Sequence, residues 1–264
     1  MTMSWISETE ILKDRQTLNG DLLPLSNSLM LRVLGSPRGN YDQSCSPVTN
    51  PRINRLIVTM NVGPFSVTGL KPVLERLKLA FAEVRQKQPA VYATLGTAGM
   101  LCCRYVRGSR ASISNHSWGC AIDLTLEGKL DARGDGKAQK GLIAIHPIMN
   151  AHRFFWGASF GTEDSMHFEI SQQQLLEWHR DGVLGEKTTI PAEAERLALG
   201  DRGPEVEWIQ QRLNRLHGLD VDEDGIFGPA TRAAVIEFQI RHNLATDGIV
   251  GPETMTALKQ ASPA

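Results

Sequence analysis

Ser114-Asn115-His116-Ser117-Trp118-Gly119-Cys120-Ala121-Ile122-Asp123-Leu124-Thr125-Leu126 changes texture at its middle, from a polar, turn-forming SNHSWG to an alternating AIDLTL. Successive side chains of a strand point to opposite faces, so Ile122, Leu124 and Leu126 face a core while Ala121, Asp123 and Thr125 share the other side. A carboxylate in such a strand is costly unless it is paired or bound to a cation. Asp123 therefore needs partners, and His116, in the turn just before it, is one candidate. Another lies in Glu163-Asp164-Ser165-Met166-His167-Phe168-Glu169-Ile170, where Met166, Phe168 and Ile170 form the apolar set and His167 and Glu169 share the opposite face. If the two strands are neighbours, His167 and Asp123 converge on one ion, with His116 reaching it from the turn. Three such ligands and an open fourth position are what a catalytic zinc needs. Asp164 lies just upstream of His167, where a carboxylate can sit beside the metal without binding it, the place of a general base acting on water made acidic by the ion.

Outward from these runs, Leu70 to Gln86 carries Leu70, Val73, Leu74, Leu77, Phe81 and Val84 on one helical face, with Pro72 harmless in the first turn. VYATLGTAGMLCCRYV, GCAIDLTL, FFWGASF and MHFEI read as short strands between Gly, Ser and Asp turns. Ser171-QQQLLEWHRDG reads as a helix with a Ser cap, and the mixture is an α+β domain. VLGEKTTIPAEAE loses periodicity, as a linker does. Beyond it, Asp224-GIFGPATRAAV is echoed by Asp247-GIVGPETMTAL, each copy an Asp-Gly turn, an apolar plug (Phe227, Val250) and a Gly-Pro helix start. The expected division is a first domain over 1–183, a linker over 184–195 and a small three-helix domain over 196–264.

Composition narrows the partners. Lys+Arg 28 against Asp+Glu 29 gives a formal net charge of -1, which disfavours nucleic acid or an anionic membrane as partner. No apolar run is long enough to span a bilayer and no signal-peptide pattern opens the chain, so a product made in the cytoplasm is expected, and a monomer is the default. The cysteines at 45, 102, 103 and 120 lack metal or disulfide spacing and read as buried free thiols. His146, His152, His179, His217 and His242 read as surface or packing residues.

Two patterns carry a resemblance. Ser114, His116, Gly119, Ala121 and Asp123, followed by Asp164 and His167 with Phe155-Trp156-Gly157 upstream, resemble the zinc peptidoglycan peptidases of the hedgehog/DD-peptidase fold. That family includes D-alanyl-D-alanine carboxypeptidases and phage L-alanyl-D-glutamate endopeptidases. The resemblance implies zinc ligands His116, Asp123 and His167, Asp164 as base with Glu163 a minor rival, and an upstream arginine, best met by Arg104, that holds the substrate carbonyl or carboxylate and the developing oxyanion. Arg107 and Arg110 are its neighbours, while Glu169 and Ser114 are expected to support the ligands from behind. The tail, from Leu197 or Leu199 with Gly200, Gly203, Val206, Gln210 and Leu213 to Asp224–Gln239 and Asp247–Thr254, resembles the three-helix peptidoglycan-binding module of wall hydrolases. Together these imply a zinc-dependent, endolysin-like hydrolase that is made without a signal peptide and acts on the wall after release. It would cut a stem-peptide bond, L-Ala-D-Glu foremost. A D-alanyl-D-alanine carboxypeptidase and a non-catalytic wall-binding protein are the alternatives.

Overall fold

A computed structural model describes residues 5–185 and 196–262, so residues 186–195 of the expected linker lie outside the described residues. In chain order the elements are β1 (Thr9–Ile11), α1 (Asn27–Val33), α2 (Pro51–Asn54), β2 (Ile57–Asn61), β3 (Ser66–Leu70), α3 (Lys71–Lys87), α4 (Pro89–Tyr92), β4 (Leu95–Gly99), β5 (Ala121–Leu126), β6 (Lys137–Gln139), α5 (Lys140–Ala151), β7 (Phe154–Trp156), β8 (His167–Ile170), α6 (Gln172–Arg180), α7 (Pro204–His217), α8 (Pro229–Arg241) and α9 (Pro252–Gln260). They fall into two compact units, residues 5–24 with 34–185 and residues 25–33 with 196–262. Short α1 thus groups with the C-terminal elements, a placement that no local pattern in the sequence announces.

The first unit is built on an antiparallel sheet in the order β4-β5-β8-β7. In α3, Val73, Leu74, Leu77, Phe81 and Val84 are all fully buried, so the 3.6-residue period reads out as a packed face. Ser171 caps α6 by accepting from the Gln174 N–H. Trp156 stacks on Phe168 across the β7–β8 pair and donates its indole N–H to the Ser165 carbonyl at 2.7 Å, so this buried ring keeps its polar atom satisfied. The run read as one strand from Val91 to Val106 is shorter. Residues 89–92 are helical, and near the end of β4 the register shifts between Thr97 and Gly99, so the chain leaves the ladder before Met100.

The four free thiols expected from the sequence are corrected to two. Ser46 and Cys103 form an antiparallel bridge, with Ser46 N donating to Cys103 O and Cys103 N to Ser46 O, both at 3.1 Å. This brings Cys45 and Cys102 to a Cα separation of 5.0 Å as a disulfide across 57 residues. Only tertiary pairing creates that proximity. Cys103 and Cys120 are buried free thiols, and burial pushes both thiols up, Cys103 to about 11.

In the second unit each copy of the near-repeat is closed by a buried glutamine from the preceding helix. Gln210 Nε2 donates to Asp224 Oδ1 (2.9 Å), Ile226 O (3.0 Å) and Thr231 Oγ1 (3.0 Å), while its Oε1 accepts from Gly225 N (2.9 Å). Gln239 repeats the pattern with Asp247 Oδ1, Ile249 O, Thr254 Oγ1 and Gly248 N. Phe227 and Val250 are fully buried beside these clasps.

Glu205, in the first turn of α7, is buried against Ser26, with the charges of Lys259 and Arg32 nearby. Burial outweighs these and pushes its carboxyl up to about 7 from the ordinary 4.5. Because the folded value lies above the unfolded one, its stabilising contribution is complete below about pH 4.5 and is lost as pH rises toward 7. The loss is on the order of 3 kcal/mol. Glu205→Gln should therefore flatten the pH dependence of this unit and raise its stability at pH 8, as read by amide hydrogen exchange of α7–α9. An unchanged pH slope would contradict this account.

Candidate metal centre

The site assembles where β5 lies beside β8. Their register sets Asp123 directly opposite His167 and Ala121 opposite Glu169, so the two polar residues of β8 share a face with Asp123. His116 enters from a 3-10 turn over Asn115–Trp118 that ends at Gly119 with φ 66°. A side chain on Gly119 would put its Cβ 2.8 Å from the Leu70 N, so the turn requires glycine both for its left-handed backbone and for space. The register shift at the end of β4 has a counterpart here. The displaced Met100 carbonyl accepts from His116 Nδ1 at 3.0 Å, leaving the Nε2 lone pair facing inward.

His167 is held from its other side. Its Nε2 donates to Glu169 Oε2 at 2.9 Å, and the same oxygen accepts from Asn115 Nδ2 at 2.8 Å. The lone pair of His167 Nδ1 therefore points inward as well. The three inward atoms form a nearly equilateral triangle: His116 Nε2 to Asp123 Oδ1 is 3.2 Å, His116 Nε2 to His167 Nδ1 is 3.3 Å and His167 Nδ1 to Asp123 Oδ1 is 3.3 Å. Ligands about 2.0–2.1 Å from a tetrahedral zinc stand about 3.3 Å apart, so these residues fit the ion with a fourth position left over. Among the described residues this is the cluster of His, Cys, Asp and Glu with metal-holding geometry. Burial disfavours ionisation of both groups, yet His116 and His167 hold the Asp123 carboxyl well below the usual range, and Asp123 and Glu169 hold the His167 imidazole well above its own.

Asp164 stands beside it. Its carbonyl accepts from His167 N at 3.1 Å, its Oδ2 faces Arg133 Nε at 3.3 Å, and its Oδ1 is buried with no hydrogen-bond partner among the described residues. Burial and the nearby charge of Asp123 push this carboxyl up, against the pull of His167, Arg133 and His116. Glu163, the rival base, is spent on structure: it is buried, with Oε1 accepting from Ser165 N and Oε2 from Gly134 N. Arg104 is half-buried, donates to Tyr105 O, and feels the charges of Arg107, Asp123, Asp164 and Arg133; Arg107 and Arg110 are exposed. Ser114 begins the His116 turn with its backbone N–H on Arg104 O, and it is Asn115 that reaches Glu169.

The remaining histidines have packing partners. His146 Nδ1 donates to Ile143 O at 2.9 Å, the carbonyl that Pro147, lacking an N–H, leaves open inside α5. His152 meets Glu83, His179 is buried, and His217 and His242 lie against Phe238. Sequence reading missed the Met100 carbonyl, Asn115, Arg133 and Arg15. Arg15 donates to the carbonyls of Ala158, Phe160 and Gly161 and so braces the turn leading to Asp164. None carries a local signal, since each acts across more than a dozen residues or through the backbone.

Gly157 is the tightest point of that turn. A Cβ there would lie 2.7 Å from Asp164 O and 3.0 Å from His167 Cβ. Gly157→Ala should therefore displace both residues and lower any activity of the site on the order of 10²-fold, with a smaller effect on global unfolding, as checked by kinetics alongside thermal melting. Unchanged kinetics would show that the turn absorbs the methyl group.

Two comparisons with protein families agree with this arrangement. Residues 107–170 match a family described as D-alanyl-D-alanine carboxypeptidase, a span that takes in His116, Asp123, Arg133, Asp164 and His167 but stops short of Arg104. Residues 202–258 match a family described as a peptidoglycan binding domain. Among curated proteins, the zinc D-Ala-D-Ala carboxypeptidase of Streptomyces albus G is 42% identical over 66 residues, 24% of this chain and 26% of its own. The N-acetylmuramoyl-L-alanine amidase CwlM of Mycobacterium tuberculosis is 35% identical over 89 residues, 30% of this chain and 22% of its own. Among solved structures, that of Burkholderia AP3 phage endolysin is 45% identical over 25% of each chain, with a TM-score of 0.24. The chain thus spans about a quarter of the length of these curated relatives. The stretch that matches the family described as D-alanyl-D-alanine carboxypeptidase thus contains the His116-Asp123-His167 triangle, and the stretch that matches a peptidoglycan binding domain covers α7, α8 and most of α9.

Proposed function

We propose that this protein is a zinc-dependent peptidoglycan peptidase that hydrolyses a peptide bond of the wall's stem peptide. The observation that carries this reading is the triangle of inward lone pairs, 3.2–3.3 Å on a side, with the unpartnered Asp164 Oδ1 beside it. Zinc held by His116, Asp123 and His167 would supply Lewis acidity, making water acidic and polarising the scissile carbonyl. Asp164 takes the proton of the attacking water and returns it to the leaving amine. Arg104, beside Asp123 and Asp164, faces the negative charge that develops on the carbonyl oxygen. Glu169 and the Met100 carbonyl fix the ligand imidazoles, so that no ring has to reorient during the reaction. The C-terminal unit holds the chain, acting as a monomer, on an insoluble polymer and so raises the local concentration of bonds to cut.

The bond we favour is L-Ala-D-Glu, because a wall-binding domain suits an enzyme that cuts within the network. The family match over residues 107–170 favours the second reading, removal of the terminal D-Ala. Mass spectrometry of purified peptidoglycan treated with wild type, EDTA-stripped and zinc-restored protein separates them. New stem-peptide amino termini support the first, free D-Ala supports the second, and unchanged peptidoglycan that pellets with the protein would refute both.

A further inference from the structure

Arg133 belongs to the turn Asp131-Ala132-Arg133-Gly134-Asp135-Gly136 between β5 and β6, and the backbone on both sides of it is fixed. Gly134 N donates to Glu163 O at 2.9 Å and to Glu163 Oε2 at 3.1 Å. Asp131 accepts from Gln139 N, Lys137 N donates to Asp135 Oδ1 at 2.9 Å, and Ser165 Oγ donates to Lys137 O at 3.1 Å. Glu163 and Ser165 flank Asp164, so the loop that carries Arg133 and the turn that carries Asp164 form one hydrogen-bonded piece. A residue held this firmly beside a reacting group has a set position.

The side chain itself is under-used. Its one polar contact is Nε to Asp164 Oδ2, a single-point approach at 3.3 Å with the side chain 38% exposed. The terminal NH2 groups make no hydrogen bond among the described residues. A guanidinium is a planar fork with five donors, matched to a carboxylate through two parallel bonds. Arg104 and Arg107 add positive charge around Asp123 and Asp164, so Arg133 is one of several cationic groups at this site.

We propose that Arg133 is the specificity-determining residue that binds a carboxylate of the peptide next to the scissile bond, exchanging its contact with Asp164 for the substrate. This rests on the peptidase reading above and adds the residue that reads the carboxylate. Two groups of a stem peptide offer that chemistry, the α-carboxylate of the D-Glu residue and the carboxylate of the terminal D-Ala.

The test uses the full-length zinc-loaded protein and four synthetic stem peptides, with D-Glu as acid or α-amide and the C-terminus as acid or amide. Hydrolysis kinetics and calorimetric binding are both read. Wild type should lose roughly 10- to 100-fold in KM and in affinity when one of the two carboxylates is amidated. Which one it is identifies the source. Arg133→Gln should bind acid and amide alike, with its loss read in KM and affinity, and Arg133→Lys should recover part of the preference. Retained discrimination in Arg133→Gln overturns the proposal. So does a loss of kcat at unchanged KM, which would make Arg133 a positioning residue for Asp164. If wild type binds the acid peptide through Arg133 but hydrolyses none of the four, the peptidase reading fails while this assignment stands.

Discussion

Asp164→Asn should lower peptide hydrolysis on the order of 10²- to 10⁴-fold, the usual contribution of a positioned general base, while zinc content stays that of wild type. The two parts of this expectation come from different contacts. The metal-facing atoms are His116 Nε2, Asp123 Oδ1 and His167 Nδ1, none of which belongs to Asp164, so the ion should survive the change. Oδ1 of Asp164 is buried without a hydrogen-bond partner among the described residues, its carboxyl feels the charges of His167, Asp123 and His116, and an amide cannot accept the proton that a carboxylate takes there. His116→Ala should differ in kind, with activity and zinc lost together because one corner of the triangle is gone. Parallel measurement of rate and of zinc by atomic absorption distinguishes the cases. An Asp164→Asn protein of near wild-type rate would remove this residue as the base, and one that loses its zinc would make it a ligand or a support of one.

The second large effect concerns stability. Gln239→Ala should destabilise the C-terminal unit by about 3–5 kcal/mol, a large part of the roughly 5–15 kcal/mol that holds a typical domain. The side chain is buried and serves four partners: Asp247 Oδ1 and Ile249 O at 2.9 Å, Thr254 Oγ1 at 3.2 Å and Gly248 N at 2.9 Å. Removing it leaves the buried Gly248 N–H and Thr254 hydroxyl without these partners, which costs more than the bonds themselves contribute. Gln210→Ala, which breaks the equivalent clasp around Asp224, should cost a similar amount, whereas exposed Gln260→Ala should stay within about 0.5 kcal/mol. Amide hydrogen exchange over α7–α9 reads this unit separately from the rest. Equal protection in the Gln239 and Gln260 variants would mean that the clasp is dispensable.

The sequence by itself determined what depends on local period and residue type. Alternation along AIDLTL and MHFEI put Asp123 and His167 on faces that could meet, the 3.6-residue period of α3 marked its buried face, and the repeated Asp-Gly-Ile-x-Gly-Pro turns marked the small helical unit. Those signals are legible because neighbouring residues alone set them. Tertiary structure decided what depends on long-range pairing. The register of β5 against β8 sets Asp123 opposite His167, the turn over Asn115–Trp118 adds His116 to close a triangle of 3.2–3.3 Å edges, and beyond the irregular end of β4 the Met100 carbonyl meets His116. The Ser46–Cys103 bridge brings Cys45 to Cys102, and the hydrogen bonds of Gly134 to Glu163 bring Arg133 to Asp164. These contacts join residues up to 57 apart through backbone groups that every residue possesses, so no side-chain pattern in the sequence could have announced them.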